Sequence, residues 1–260
     1  MVGIVGDDFP AEHISMLENH GVDVSGLQRV PGKTFRWSGK YHEDMNSRDT
    51  ISVALNVFEN FQPELPSAFR ETPVVLLANI APDLQHLVLD QSENPRFVIA
   101  DTMDLWIEIA RGRLLELLGR VDMLILNDSE ARQLTGESNL VKAGRGLLDA
   151  GPSYVAIKKG EHGCLLMGPE DRFFSCPAFP LENLLDPTGA GDTFAGGLAG
   201  FIASESAGAV TFDLLRRAVV RGSVLASFNV EAFSLERLRE LNDTDIALRL
   251  AQFRELARLD

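Results

Sequence analysis

Cysteine is nearly absent from the chain: Cys164 and Cys176 are the only two, with eleven residues between them. That spacing suits neither a zinc knuckle nor a disulfide framework, so two buried, reduced thiols are expected. Positive charge is also scarce. Lys and Arg total 24 against 38 Asp and Glu, a net charge of −14, and no basic block offsets the deficit, which argues against nucleic acid as a partner. No apolar run is long enough to span a bilayer and no leader pattern opens the sequence. A cytoplasmic protein without a membrane partner is therefore expected. A P-loop is missing too. Gly32-Lys33-Thr34 comes nearest, but the first glycine of such a loop would have to stand at Leu27, and β-prone residues follow. Internal repeats and low-complexity segments are absent, and His13 and His20 read as surface or packing residues rather than ligands.

What is present is enough apolar residue, 45% of 260, to bury a full α/β core. Residues 1–6 read as an apolar strand, and a helix opened by Asp7-Asp8-Phe9-Pro10 runs to about Asn19 and ends at Gly21. Residues 33–42 and 50–55 read as strands on either side of a polar turn at 46–49, a projecting sheet within a β-rich segment 27–57. Beyond it strands at 73–79, 97–101 and 121–126 alternate with helices at 83–90, 105–118 and from about Asp128. Residues 154–160 and 163–166 read as strand, tight turn and strand, and helices follow at 212–228, 235–241 and 245–259. On the 212–228 helix, Arg216, Arg217 and Arg221 read as a solvated face. Such alternation predicts a mainly parallel sheet with helices on both faces and ligands beyond the carboxyl ends of its strands.

The chain is organised around residues 185–200, Leu-Asp-Pro-Thr-Gly-Ala-Gly-Asp-Thr-Phe-Ala-Gly-Gly-Leu-Ala-Gly. Asp186-Pro187 ends an extended run, Gly189 and Gly191 permit a tight turn, and an apolar helix follows. A strand, a glycine turn and a helix start make an anion site from backbone amides and the helix dipole. Asp192 is then either a helix cap or an acid placed among those donors. Phe194 stands where a dinucleotide fingerprint would need its third glycine. At a second strand end Asn127 and Glu130, three residues apart, form either a capping box or one wall of a pocket.

The string Asp-Pro-Thr-Gly-Ala-Gly-Asp-Thr-Phe resembles the C-terminal signature of the ribokinase-like (PfkB) family of sugar and nucleoside kinases. The likeness extends over nearly the whole chain, through Val5-Gly6-Asp7-Asp8 and Asn127-Asp128-Ser129-Glu130. It implies an α/β ribokinase-like core over 1–26 and 58–260, with 27–57 as a β lid over the substrate site. The implied activity is transfer of the ATP γ-phosphoryl group to a sugar or nucleoside hydroxyl. Asp192 would be the general base, with Gly189, Ala190 and Gly191 as the anion hole.

The same resemblance implies that Asn127, Glu130, Lys158, Gly160, Gly163 and Thr188 meet the nucleotide, with Mg²⁺ reached from Glu130 through water. A monovalent cation and a homodimer through the lid are compatible with it. The sequence departs from the family at Lys158, where a Thr is common. That Lys is either a charged phosphate contact or a solvent-facing side chain, and Trp37, Arg36, Tyr41 and His42 are candidate lid contacts. The family's first strand, ending in a substrate-binding Asp, and its Gly-Gly-x-x-x-Asn element have no counterpart before Val2. Met1 is accordingly expected to be an internal start of a longer protein. A nucleotide-binding protein with weak or no kinase activity is the alternative this leaves.

Overall fold

The computed structural model describes residues 1–43, 45, 48–205 and 208–256. Asn46 and Ser47 of the expected polar turn, and Leu259 at the end of the last expected helix, lie outside the described residues. The chain forms two compact units, Met1–Thr72 with Asp83–Asn94, and Pro73–Pro82 with Pro95–Asp260. The expected β-rich segment 27–57 lies within the first unit.

In the first unit β1 (Val2–Val5) leads into α1 (Ala11–Asn19) and pairs in parallel with β2 (Gly26–Arg29). Leu27, Gln28 and Arg29, the first residues of the segment 27–57, therefore lie beside Gly3, Ile4 and Val5. The loop after β1 is fastened to the chain that follows β2. Asp8 Oδ1 accepts from both the amide and the hydroxyl of Thr34 at 2.7 Å, and Asp8 Oδ2 accepts from Arg36 at 3.2 Å. The Thr34 bonds, with help from Arg36, hold the Asp8 carboxyl down at about 2. With Thr34 so engaged and a strand following, Gly32-Lys33-Thr34 has no phosphate-loop geometry.

That strand, β3 (Arg36–Tyr41), pairs antiparallel with β4 (Arg48–Ala54), Trp37 opposite Val53. Alternation sends Trp37 and Tyr41 to the half-buried side of β3 and Arg36 and Lys40 to solvent, while β4 is exposed throughout. His42 pairs with Asp49 at 2.9 Å. A 3₁₀ turn over Asn56–Asn60, then α2 (Ser67–Arg70) and α3 (Pro82–Gln91), complete the unit. Gln91 ties α3 down by accepting from the Leu65 amide and donating to the Pro63 carbonyl.

The second unit holds a six-stranded sheet of β5 (Val74–Leu77), β6 (Phe97–Asp101), β7 (Met123–Asn127), β8 (Tyr154–Lys158), β9 (Cys164–Gly168) and β10 (Arg172–Cys176). β5 to β8 run parallel in that order; β9 and β10 add antiparallel strands beyond β8. The helices are α4 (Asp104–Ile109), α5 (Arg111–Leu118), α6 (Asp128–Thr135), α7 (Leu140–Asp149), α8 (Ala190–Ser204), α9 (Phe212–Asn229), α10 (Glu236–Arg239) and α11 (Asp243–Leu256). The single helix expected over 105–118 is two, because Ala110 leaves helical geometry at φ −132°, ψ 24°. Two tethers flank the break: the Trp106 indole donates to Asn79, and Arg111 donates to the Leu134 carbonyl.

Period-two alternation divides the sheet between two helical layers. On β8, Tyr154 and Ala156 face the cluster built with α8 and α9, while Ile157 lies against Gly144 of α7. Phe194, Leu198 and Ile202 of α8 pack with Leu215, Val219 and Phe228 of α9, each buried side chain contributing about 1.5–3 kcal/mol. The helices approach closely at Gly222, where a Cβ would sit 2.6 Å from the Phe194 carbonyl oxygen. Arg216 and Arg217 are exposed, as expected of a solvated face, and also make ring contacts. They cover the rings of Phe174 and Phe201 at 5.0 and 5.6 Å.

Cys164 and Cys176 are free, buried and directly opposite in the β9–β10 pairing. Burial pushes both thiols up, Cys176 to about 11 and Cys164 further, so they pack rather than react. Among the described residues no helix is long and apolar enough to cross a membrane.

Candidate active site

Three polar residues end three adjacent parallel strands: Asp101 on β6, Asn127 on β7 and Lys158 on β8. Asn127 and Lys158 are register partners, and Asp101 is opposite Ile125. Counting back by twos from each leads to Ile99, Ile125 and Ala156, all in the core under α8, so the three share the α8 face. This is the carboxyl edge of the parallel part of the sheet.

The turn that opens α8 closes over that edge. Asp186 is buried and builds the approach: its Oδ1 accepts from the Thr188 amide at 2.9 Å and its Oδ2 from the Ser234 amide at 3.4 Å. Burial would raise the Asp186 carboxyl, but bonds from Thr188 and Ser234 outweigh it and hold the group below its ordinary range. Asn229, at the end of α9 and 2% exposed, locks the turn from the other side. Its Nδ2 donates to the Thr188 carbonyl at 2.8 Å and its Oδ1 accepts from the Thr193 hydroxyl at 3.0 Å.

Gly189 takes the left-handed conformation at φ 81° that lets the chain enter the helix. The Ala190 amide donates to the Pro187 carbonyl at 3.1 Å, whereas the amides of Gly191 and Asp192 have no intramolecular acceptor among the described residues. Ala190 is therefore the one member of the expected anion hole whose N–H is already engaged. Asp192 stands exposed on the first helical turn beside the two open amides.

Lys158 does not point into solvent. Its side chain is 20% exposed, its Nζ lies 3.5 Å from Asp101 Oδ1, and a Cβ on Gly191 would come within 3.1 Å of the same Nζ. Asp101 is nearly enclosed. Burial pushes its carboxyl above the ordinary range, with Lys158 opposing the shift and Asp192 adding to it.

Asn127 and Glu130 form a full capping box at the start of α6, Asn127 Oδ1 accepting from the Glu130 amide at 2.8 Å and Glu130 Oε2 from the Asn127 amide at 2.7 Å. The box uses one carboxylate oxygen and leaves the other without a protein hydrogen bond among the described residues. Burial pushes Glu130 up to about 7 against the opposing pull of Lys158 and the Asn127 amide.

Lys158, Gly191 and Asp101 are thus brought together, with the charges of Glu130 and Asp192 acting on the same pair. Gly160 and Gly163 have a different local task, turning β8 into β9. A Cβ on Gly163, at φ 78°, would fall 2.0 Å from the Cys176 carbonyl oxygen. Thr188 is exposed at the mouth of the α8 turn. Among the described residues no group of three or more His, Cys, Asp or Glu side chains is placed to hold a metal ion. A divalent cation here would need ligands from phosphate and water in addition to Glu130, which is how Mg²⁺ is commonly held.

Asp101 and Asn229 were not singled out by sequence reasoning, and Asp186 was read only as the end of an extended run, not as a brace of the turn. An acid at the carboxyl end of an otherwise apolar strand was the available signal for the first. The other two become visible only when the α9 end meets the turn.

The family model for pfkB family carbohydrate kinases matches residues 1–238. A cytidine kinase of Thermococcus kodakarensis is 32% identical over 206 residues, covering 77% of this chain and 73% of that protein. Among solved structures, a ribokinase of Thermotoga maritima superposes with a TM-score of 0.75 at 23% identity, covering 96% of this chain and 80% of that one. An E. coli protein provisionally described as a ribokinase II, solved with ATP and Mg²⁺, gives a TM-score of 0.76 at 18% identity, covering 96% and 82%. The chain belongs to the pfkB family of carbohydrate kinases and has the ribokinase-like α/β fold. It is a phosphotransferase of the sugar and nucleoside kinase class, with an alcohol group as acceptor.

Proposed function

We propose that this chain transfers the γ-phosphoryl group of ATP to a hydroxyl of a nucleoside, with Asp192 as general base. The observation that supports this most is the junction at α8: an exposed acid, two amides without intramolecular acceptors and the Lys158 ammonium meet at one helix start. Asp192 takes the proton from the acceptor hydroxyl as its oxygen bonds to the γ-phosphorus and the bond to the ADP oxygen breaks. The Gly191 and Asp192 amides and the helix dipole hold the charge of the transferred group. Lys158 supplies a cation to the phosphates from the sheet side. When bound, Mg²⁺ neutralises phosphate charge, and Glu130 would orient it through water while Asn127 fixes the Glu130 carboxylate.

The choice of a nucleoside acceptor is favoured by the likeness to the Thermococcus cytidine kinase, 32% identical over 206 residues. The test is ADP release from ATP and Mg²⁺ across a panel of nucleosides and free sugars. Saturable release with a nucleoside, cytidine among the first to try, is expected. Nucleotide binding with no acceptor-dependent release from any compound would overturn the kinase reading. Release with sugars alone would overturn the acceptor assignment.

A further inference from the structure

β6 and β8 are separated by β7, so Asp101 and Lys158 start about 10 Å apart across the sheet. Lys158 nevertheless reaches over the end of β7 to place Nζ 3.5 Å from Asp101 Oδ1. The reach is directed. Asp101 has a side chain 7% exposed, and its Oδ1 also accepts from the Thr102 amide at 3.0 Å, which fixes that oxygen. On the far side the ammonium lies against Gly191, where the absence of a Cβ makes room for it. A long, flexible lysine is thus held between an anchored carboxylate and the turn that opens α8.

We infer that Asp101 is a positioning residue: it holds the Lys158 ammonium against the Gly189–Gly191 turn and acts on bound phosphate only through that lysine. The inference rests on the reading of Lys158 as a phosphate contact. It has a distinctive sign. A carboxylate that merely stood near the triphosphate would repel it, and neutralising that acid would tighten nucleotide binding. A positioning carboxylate has the opposite effect, because its loss frees the lysine to leave the site.

Wild type, Asp101→Asn, Asp101→Glu, Lys158→Met and the Asp101→Asn/Lys158→Met pair are compared for binding of a non-hydrolysable ATP analogue with Mg²⁺, and for thermal unfolding. No acceptor is needed. Lys158→Met and Asp101→Asn are each expected to weaken binding about tenfold, and the pair no more than Lys158→Met alone, the signature of two residues acting as one. Asp101→Glu, which keeps the charge, is expected to recover most of the affinity. Should Asp101→Asn fail to fold because it strands a buried ammonium, the pair, lacking both charges, is expected to fold and bind like Lys158→Met. Unchanged or tighter binding by Asp101→Asn would overturn the inference, as would losses that multiply in the pair or a pair that does not fold. If Lys158→Met binds as wild type, or wild type itself does not bind the analogue, the nucleotide reading of the site falls and this inference with it.

Discussion

Asn127 and Glu130 exchange two hydrogen bonds across the first turn of α6, each side chain accepting from the other's amide at 2.8 and 2.7 Å. The box satisfies helix-end donors and at the same time aims a buried carboxylate at the carboxyl edge of the sheet. Capping and ligand-holding are therefore two uses of one geometry. Burial has a cost that can be measured, because it pushes Glu130 up to about 7.

In metal-free protein, a carboxyl raised from 4.5 to about 7 contributes stability below pH 4.5 that is lost as pH rises through 7. Glu130→Gln keeps the acceptor oxygen of the box and removes the buried charge. It should match wild type below about pH 4.5 and exceed it by on the order of 3 kcal/mol above pH 7. Chemical denaturation at several pH values checks this. Turnover with ATP and Mg²⁺ should fall in the same variant, an exchange of function for stability.

Asn229 joins the end of α9 to both Thr188 and Thr193. Asn229→Leu keeps approximate size and deletes both bonds in a buried position, so a loss of about 2–3 kcal/mol is expected in urea unfolding. Turnover should fall further than stability alone explains, since the Gly189–Gly191 turn loses its brace. Asn229→Asp, which retains the acceptor for the Thr193 hydroxyl, should fall between.

The glycines separate into two classes. Gly163→Ala places a Cβ 2.0 Å from the Cys176 carbonyl oxygen at φ 78°, and a loss of about 3 kcal/mol or more, or insoluble protein, is expected. Gly196, inside α8, has nothing within 4 Å of its would-be Cβ. Gly196→Ala should raise stability by about 0.5–1 kcal/mol through helix propensity. Thermal unfolding of the two variants side by side gives the contrast.

Much of this arrangement was legible in the sequence because it is local. The strand over 97–101, the helix starting at Asp128 and the turn before Ala190 follow from apolar runs, capping residues and paired glycines within a few positions. The same locality let Asn127, Glu130 and Asp192 be named. Pairing partners are not local. Nothing in Gly26–Arg29 announces that it joins Val2–Val5, so that parallel pair went unassigned. The break at Ala110 coincides with tethers to Asn79 and Leu134, residues far along the chain. Lys158 left two readings open because its direction depends on Asp101, 57 residues earlier. The short strand Arg172–Cys176 and the helix Leu140–Asp149 have mixed polarity and carried no assignment at all.

The most direct test of the account is the steady-state turnover of Asp192→Asn with the acceptor found in the panel, measured beside its affinity for the ATP analogue. A general base contributes about 10²–10⁴ in rate, so kcat should fall by at least about a hundredfold. Analogue affinity should stay within about threefold, because the Gly191 and Asp192 amides and Lys158 remain in place. Near-normal kcat in this variant would contradict the assignment of Asp192 and with it the proposed chemistry of the α8 turn.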